Sequence, residues 1–290
     1  MDLSPFRIST PRLTLAGLKN DKQDGSPIIA IHGWLDNASS FIPLSKEMDI
    51  NRPFYALELP GHGLSEHRSD ASTYHLIENI IDVLAFVSTV CGDETEKVTL
   101  IGHSMGGIVC ALLAAAAPDR VDKLVLLDSL GPMTDSNAGV LPQLRKAVAK
   151  YGTFKPSAKA VYPTIDMAIA VRMGGIGKVN KDAAKLLVDR GIEEVEGGFS
   201  WTSDPALLAP SLVRFSEDQI KVIFQGIECP VCLVCGDEGY FSSYKMLKGR
   251  LDYIKNQENY HVSGGHHFHM DGNVSKTAEL INGFIISEKN

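Results

Sequence analysis

Residues 98–107, Val-Thr-Leu-Ile-Gly-His-Ser-Met-Gly-Gly, restrict the fold of this chain more than any other segment. Val98 to Ile101 form a short apolar run, as a buried strand requires. The run stops at Gly102-His103-Ser104-Met105-Gly106, a G-x-S-x-G sequence. Residues 108–117 follow as Ile-Val-Cys-Ala-Leu-Leu-Ala-Ala-Ala-Ala, apolar and alanine-rich enough for a buried helix. Strand, sharp turn and helix in that order strain the backbone at Ser104 and push its hydroxyl out above a sheet edge. The Met105 amide then faces the same space. G-x-S-x-G alone occurs by chance; the flanking strand and helix give it meaning.

The rest of the chain repeats that alternation. Residues 3–19 alternate loosely, as in a strand pair at a sheet edge, and apolar strands are expected at 27–31, 54–59 and 124–128. Helical spacing covers residues 39–48 and 74–90. Apolar strands separated by helices imply an α/β fold with a mostly parallel central sheet flanked by helices. After Gly131-Pro132 the rhythm changes. Helices are expected at 141–151, 164–173, 181–190 and 217–224, with no long apolar strand among them. Strands return at 230–235 and near 260–262, and a helix at 277–286 closes the chain. The expected organisation is a core of residues 1–132 and 229–290 interrupted by a helical cap, residues 133–228. Met167, Ile169, Val171 and Met173 could line a pocket, and plain packing within the cap explains them equally well. Gly174-Gly175-Ile176-Gly177 reads as a turn; no strand precedes it, so it is no phosphate loop.

A serine hydroxyl is a weak nucleophile at neutral pH and needs a base, which in turn needs an orienting carboxylate. Both follow Ser104 in the chain, in the order serine, acid, histidine. The base is expected after the last strand, where residues 262–271 read Val-Ser-Gly-Gly-His-His-Phe-His-Met-Asp. His266 is the first choice, His267 the second, and His269 is expected to pack or cap. For the acid, Asp128 ends the strand after the nucleophile strand, and Glu238 and Asp237 follow the next one. Asp128 is preferred, with Glu238 and Asp237 as alternatives. The Trp34 amide, in the loop after the first core strand, is the expected second oxyanion donor beside that of Met105. No metal is expected. His266 and His267 are adjacent and point apart, and nothing else supplies zinc-ligand spacing. Cys229-x-x-Cys232-x-x-Cys235 lies in a strand, which turns residues 229 and 235 to one face and 232 to the other. Three such sulfurs cannot converge on one ion.

Composition narrows the partners. A net charge of −7 with no Lys/Arg run argues against nucleic acid. No apolar run approaches the ~20 residues of a membrane helix, and the first residues form no apolar signal region. Five cysteines without framework spacing fit a reducing compartment, so an intracellular, cytoplasmic location is expected. No cofactor is implied, and the oligomeric state is not encoded in any motif.

The run His32-Gly33-Trp34-Leu35-Asp36-Asn37-Ala38-Ser39-Ser40-Phe41 resembles the serine hydrolase-like proteins of animals. Pro60-Gly61-His62-Gly63-Leu64-Ser65, the Ser104 motif, residues 123–128, 186–191, 197–204 and 239–241, and His266-x-x-His269-Met270 extend the likeness over nearly the whole chain. The resemblance implies an α/β-hydrolase fold with a helical cap and Ser104 as nucleophile. It also favours Asp128, because such proteins typically lack a dependable acid after the strand that ends here at Cys235. Glu58 departs from the Asp that many relatives carry before Leu-Pro-Gly-His-Gly, with no catalytic consequence expected. The expected activity is cleavage of a small-molecule carboxylic ester or thioester. A dehalogenase or epoxide hydrolase would carry Asp at position 104. The rival class is a non-catalytic small-ligand-binding protein on the same scaffold.

Overall fold

The apolar runs pair into one eight-stranded sheet. Six of its strands precede the insertion: β1 (Ser4–Ser9), β2 (Thr14–Lys19), β3 (Ile28–Ile31), β4 (Phe54–Leu57), β5 (Val98–His103) and β6 (Val121–Leu127). The last two, β10 (Val231–Gly236) and β11 (Gln257–Val262), follow it. The order across the sheet is β1-β2-β4-β3-β5-β6-β10-β11. β1 and β2 join antiparallel at one edge, and every strand from β4 onward runs parallel. The structure is a computed structural model that describes residues 1–287 except 50, 70–71, 94, 154–158, 244–246 and 248.

β3 and β5 are buried along their whole length. Both faces are covered, which is why these strands read as continuous apolar runs instead of alternating. On one face α2 (Leu76–Cys91), α3 (Met105–Ala116) and α7 (Glu217–Gln225) contribute Phe86, Val109, Leu113, Ile220 and Phe224 to a single cluster. On the other, α1 (Ile42–Glu47) and the closing helix α10 (Val274–Ile286) contribute Leu44, Ile281 and Phe284. Cys235 joins the first cluster and Cys232 the second, as strand alternation requires, while Cys229 precedes β10 instead of lying in it and also joins the first. None of the five cysteines forms a disulfide. Buried Lys123 on β6 donates to the carbonyls of Phe284, Ile285 and Ser287 and so satisfies the end of α10.

Two expectations need correction. The inserted segment is not wholly helical. Beside α4 (Val140–Thr153), α5 (Ile165–Met173) and α6 (Lys181–Gly191) it holds an antiparallel sheet of β7 (Val161–Tyr162), β8 (Ile192–Val195) and β9 (Gly198–Trp201). These strands are two to four residues long and largely half-exposed, too short to leave an alternating pattern. Of the two readings of α5, pocket lining fails and packing within the cap holds for two of the four residues. Ile169 is buried in the insertion's own apolar cluster, Met173 packs against that cluster, and Met167 and Val171 face outward. Residues 154–158 of the insertion lie outside the described residues.

Polar contacts fasten this segment to the core. Arg190 of α6 grips buried Glu58 with Nε and Nη2, 2.6 and 3.0 Å from the two carboxylate oxygens. Asn37 Nδ2 donates to the Leu187 carbonyl over 2.8 Å, and the Trp34 indole to that of Leu207 over 3.2 Å. No helix among the described residues is long and apolar enough to cross a membrane.

Candidate active site

Three non-glycine residues among those described take positive φ: Leu35 at 63°, Ser104 at 50° and Asp128 at 45°. Each lies just beyond the carboxyl end of a central parallel strand. Such conformations cost about 1–3 kcal/mol each, and they cluster where geometry is kept for function.

Ser104 follows β5 directly and caps α3 without its side chain accepting a helix amide, so its hydroxyl is left for other work. Its amide donates to the Leu127 carbonyl over 3.0 Å, and its carbonyl accepts from the Ser129 hydroxyl over 2.6 Å. The turn closes because Gly106 has no side chain: a Cβ there would stand 2.1 Å from the Ile31 carbonyl oxygen. Asp128 sits at the end of β6. Its Oδ2 accepts from His266 Nδ1 over 2.6 Å and from the Tyr240 amide over 2.7 Å. The Phe241 amide stands 3.4 Å from Oδ1. Gly239 makes room for this carboxylate, since a Cβ there would lie 2.3 Å from Oδ1. The Tyr240 ring covers the His266 imidazole with centroids 4.0 Å apart. Nδ1 is therefore committed to the acid, and Nε2 is the nitrogen left to handle a proton.

The structure thus brings His266 and Asp128 together and keeps the alternative acids apart from them. Asp237 and Glu238 are exposed, and Asp237 Oδ1 lies 3.9 Å from His261 instead. Trp34 and Met105 both border a cavity of about 550 Å³ whose other walls include Ile108, Met133, Leu207 and Phe215. Met105 opens α3, so its amide is one of the donors a helix start leaves unused. A second cleft, about 580 Å³, opens by Lys97, Lys123 and Glu228 at the opposite end of the strands, away from all three strained residues.

Four buried imidazoles support these loops. His32 takes the Leu59 amide on Nε2 over 3.1 Å and donates from Nδ1 to its neighbour Gly33, fixing the loop that carries Trp34. His62 lies against His32, with ring centroids 4.9 Å apart. Burial, then its neighbour His32, pushes the His62 pKa down to about 3. Burial likewise lowers His32, and lowers His103 and His269 well below the ordinary range.

His267, the second-choice base, belongs to another pair: its Nε2 donates to Asp36 Oδ2 over 2.9 Å. Asp36 Oδ1 also accepts from Arg172 Nη2 over 2.8 Å. Burial would raise the Asp36 carboxyl, but His267, Arg172 and His103 outweigh it and hold it well below the usual carboxylate range. Asp36, His103 and His267 each present a ligand atom within 4.8 Å of the others, a spacing that suits a cation. The Arg172 guanidinium stands against two of them, 2.8 Å from Asp36 and 3.3 Å from His267 Nε2. Sequence reasoning assigned no role to Asp36, Arg172 or Tyr240. The signal for Asp36 lay in the run from His32 to Phe41.

A family model described as alpha/beta hydrolase fold matches residues 26–158. A serine hydrolase-like protein of Danio rerio is 27% identical over 291 residues, covering 97% of this chain and 88% of its own. The crystal structure of a hypothetical protein from Pseudomonas aeruginosa PAO1 superposes with a TM-score of 0.91 at 35% identity, covering 98% of this chain and 99% of its own. A thioesterase domain from the curacin biosynthetic pathway shares the fold, with a TM-score of 0.81 at 18% identity over 99% of this chain and 100% of its own.

Proposed function

The chain belongs to the α/β-hydrolase superfamily, with serine hydrolase-like proteins as its curated relatives, and from that premise we propose that it cleaves a small-molecule carboxylic ester or thioester through an acyl-enzyme on Ser104. The observation that carries this reading is the 2.6 Å contact of His266 Nδ1 with Asp128, and the strained backbone of Ser104 at the start of α3 supports it. His266 Nε2 takes the Ser104 proton as Oγ attacks the substrate carbonyl. The Trp34 and Met105 amides receive the developing oxyanion. The tetrahedral species collapses, and His266 passes the proton to the departing alcohol or thiol. Water, deprotonated by the same imidazole, then frees the acid and restores Ser104. Asp128 holds Nδ1–H throughout, so that Nε2 is the basic nitrogen. The inserted segment ahead of α7 serves as the cap, and Leu207 and Phe215 give an apolar wall for the acyl or alcohol group. The binding-protein alternative gains nothing from backbone strain at both Ser104 and Asp128.

The test is turnover of a panel of p-nitrophenyl esters and matched acyl thioesters of graded chain length. Wild-type protein should hydrolyse members of the panel, and Ser104→Ala should lose about 10⁴-fold or more in kcat while keeping its melting temperature. Equal turnover by both proteins contradicts the proposal.

A further inference from the structure

The loop that carries His266 begins Ser263-Gly264-Gly265, and Gly264 takes φ of +138°. Two adjacent glycines give such a loop little rigidity of its own. It is pinned from outside at three points. His103, the residue before the nucleophile, donates from Nε2 to the His266 carbonyl over 2.9 Å. Asp36 holds the His267 side chain at 2.9 Å. Asp128 holds His266 itself.

Asp36 links the oxyanion loop, the base loop and the insertion. It lies two residues after Trp34, on the loop strained at Leu35. It is almost wholly buried, touches His267 beside the base, and stands 3.9 Å from His103 Nδ1. Its remaining oxygen is taken by Arg172, which comes from α5 in the insertion. Arg172 reaches further. Its Nη1 lies 3.3 Å from the Gly177 carbonyl, and the Gly177 amide donates to the Tyr240 hydroxyl over 3.1 Å. Tyr240 covers His266 and donates its amide to Asp128. The contacts close a ring: Arg172, Asp36, His267 and its neighbour His266, Asp128, Tyr240, Gly177, and back to Arg172. The ring includes the base and passes once through the inserted segment, from Gly177 to Arg172.

Building on the hydrolase reading above, we propose that Asp36 and Arg172 are positioning residues: together they let the docked α5–Gly177 segment set the His266 imidazole and the Trp34 amide in one register. A cap docked by this ring aligns base and oxyanion donor together. A cap released at Arg172 leaves the triad residues present and the base loop loose. Misplacement of a catalytic group by 1 Å can cost about 10²-fold in rate, so the effect belongs in kcat more than in substrate binding.

The test compares wild type, Arg172→Met, Arg172→Lys and Asp36→Asn. Steady-state kinetics use a p-nitrophenyl ester, and hydrogen exchange follows peptides covering residues 32–41, 165–177 and 262–272. Arg172→Met should lower kcat ten- to hundredfold with KM changed less than threefold, and Arg172→Lys should recover part of it. Exchange in Arg172→Met should rise in all three peptides, including the two outside the cap. A variant whose KM rises at constant kcat, or whose exchange rises in residues 165–177 alone, overturns the proposal. If wild type turns over no ester, the hydrolase reading fails separately, and the exchange pattern decides the positioning role by itself.

Discussion

Asp128 accepts from the His266 imidazole and from the Tyr240 amide, with the Phe241 amide close by, and it does so from strained backbone at the end of β6. A buried carboxylate with donors on both oxygens cannot turn away, which is what fixing an imidazole tautomer demands. Asp128→Asn keeps the shape but presents an amide to Nδ1. It should lower kcat by about 10³–10⁴-fold, by the wrong-tautomer effect. Glu238→Gln, in an exposed side chain apart from the base, should stay within about twofold of wild type. Parallel ester kinetics on the two variants check this, and the reverse ranking would make Glu238 the acid. The candidates Ser104 and His266 leave local marks in the chain, a strand end and a glycine pair, whereas Asp128 stood only as preferred over Glu238 and Asp237 until the fold set it against His266. Asp36 left none beyond its place in a longer run. Its partners Arg172 and His267 lie 136 and 231 residues away, and only the folded topology brings them together.

At the scale of elements, the core was the readable part. β3, β5, β6 and β10 are buried on all or nearly all of their residues, so each appears as an apolar run long enough to recognise. The inserted segment was not, because β7, β8 and β9 are short and half-exposed. Helix α7 reads as a cap helix by position, yet Ile220 and Phe224 pack into the core beside α3. Glu58 shows what a small departure in sequence does between elements. It also accepts the amides of Ala38 and Leu64, so Arg190 ties α6 to the end of β4 and to two loops beside it. Breaking a buried pair leaves an uncompensated charge, at a cost of about 3–5 kcal/mol. Arg190→Met should therefore destabilise the protein by that amount, and by less in the background of Glu58→Gln. A denaturant double-mutant cycle measures the coupling. Strictly additive losses would mean that the pair does not hold the insertion down.

At the scale of the whole molecule, four buried histidines couple stability to pH. His32, His62, His103 and His269 have folded pKa values below the ordinary 6.5, about 3 for His62. Unfolding releases them to bind protons, so the unfolded chain holds more protons below pH 6.5 and stability falls as pH falls. Their full contribution is present above pH 6.5 and is lost progressively through the window down toward pH 3. Asp36, with its carboxyl pKa lowered, adds a loss only below the ordinary carboxylate range near 3.8. Chemical denaturation between pH 7 and 4.5 should show falling stability, with net proton uptake on unfolding near pH 5.5. A flat profile would mean that these imidazoles titrate freely in the native state. The central claim, an activated Ser104, is tested most directly by labelling the intact protein with a fluorophosphonate and mapping the modified peptide by mass spectrometry. The proposed mechanism requires stoichiometric phosphonylation of Ser104, lost in His266→Ala at unchanged fold. Well-folded protein that takes up no probe, or takes it up elsewhere, would contradict it.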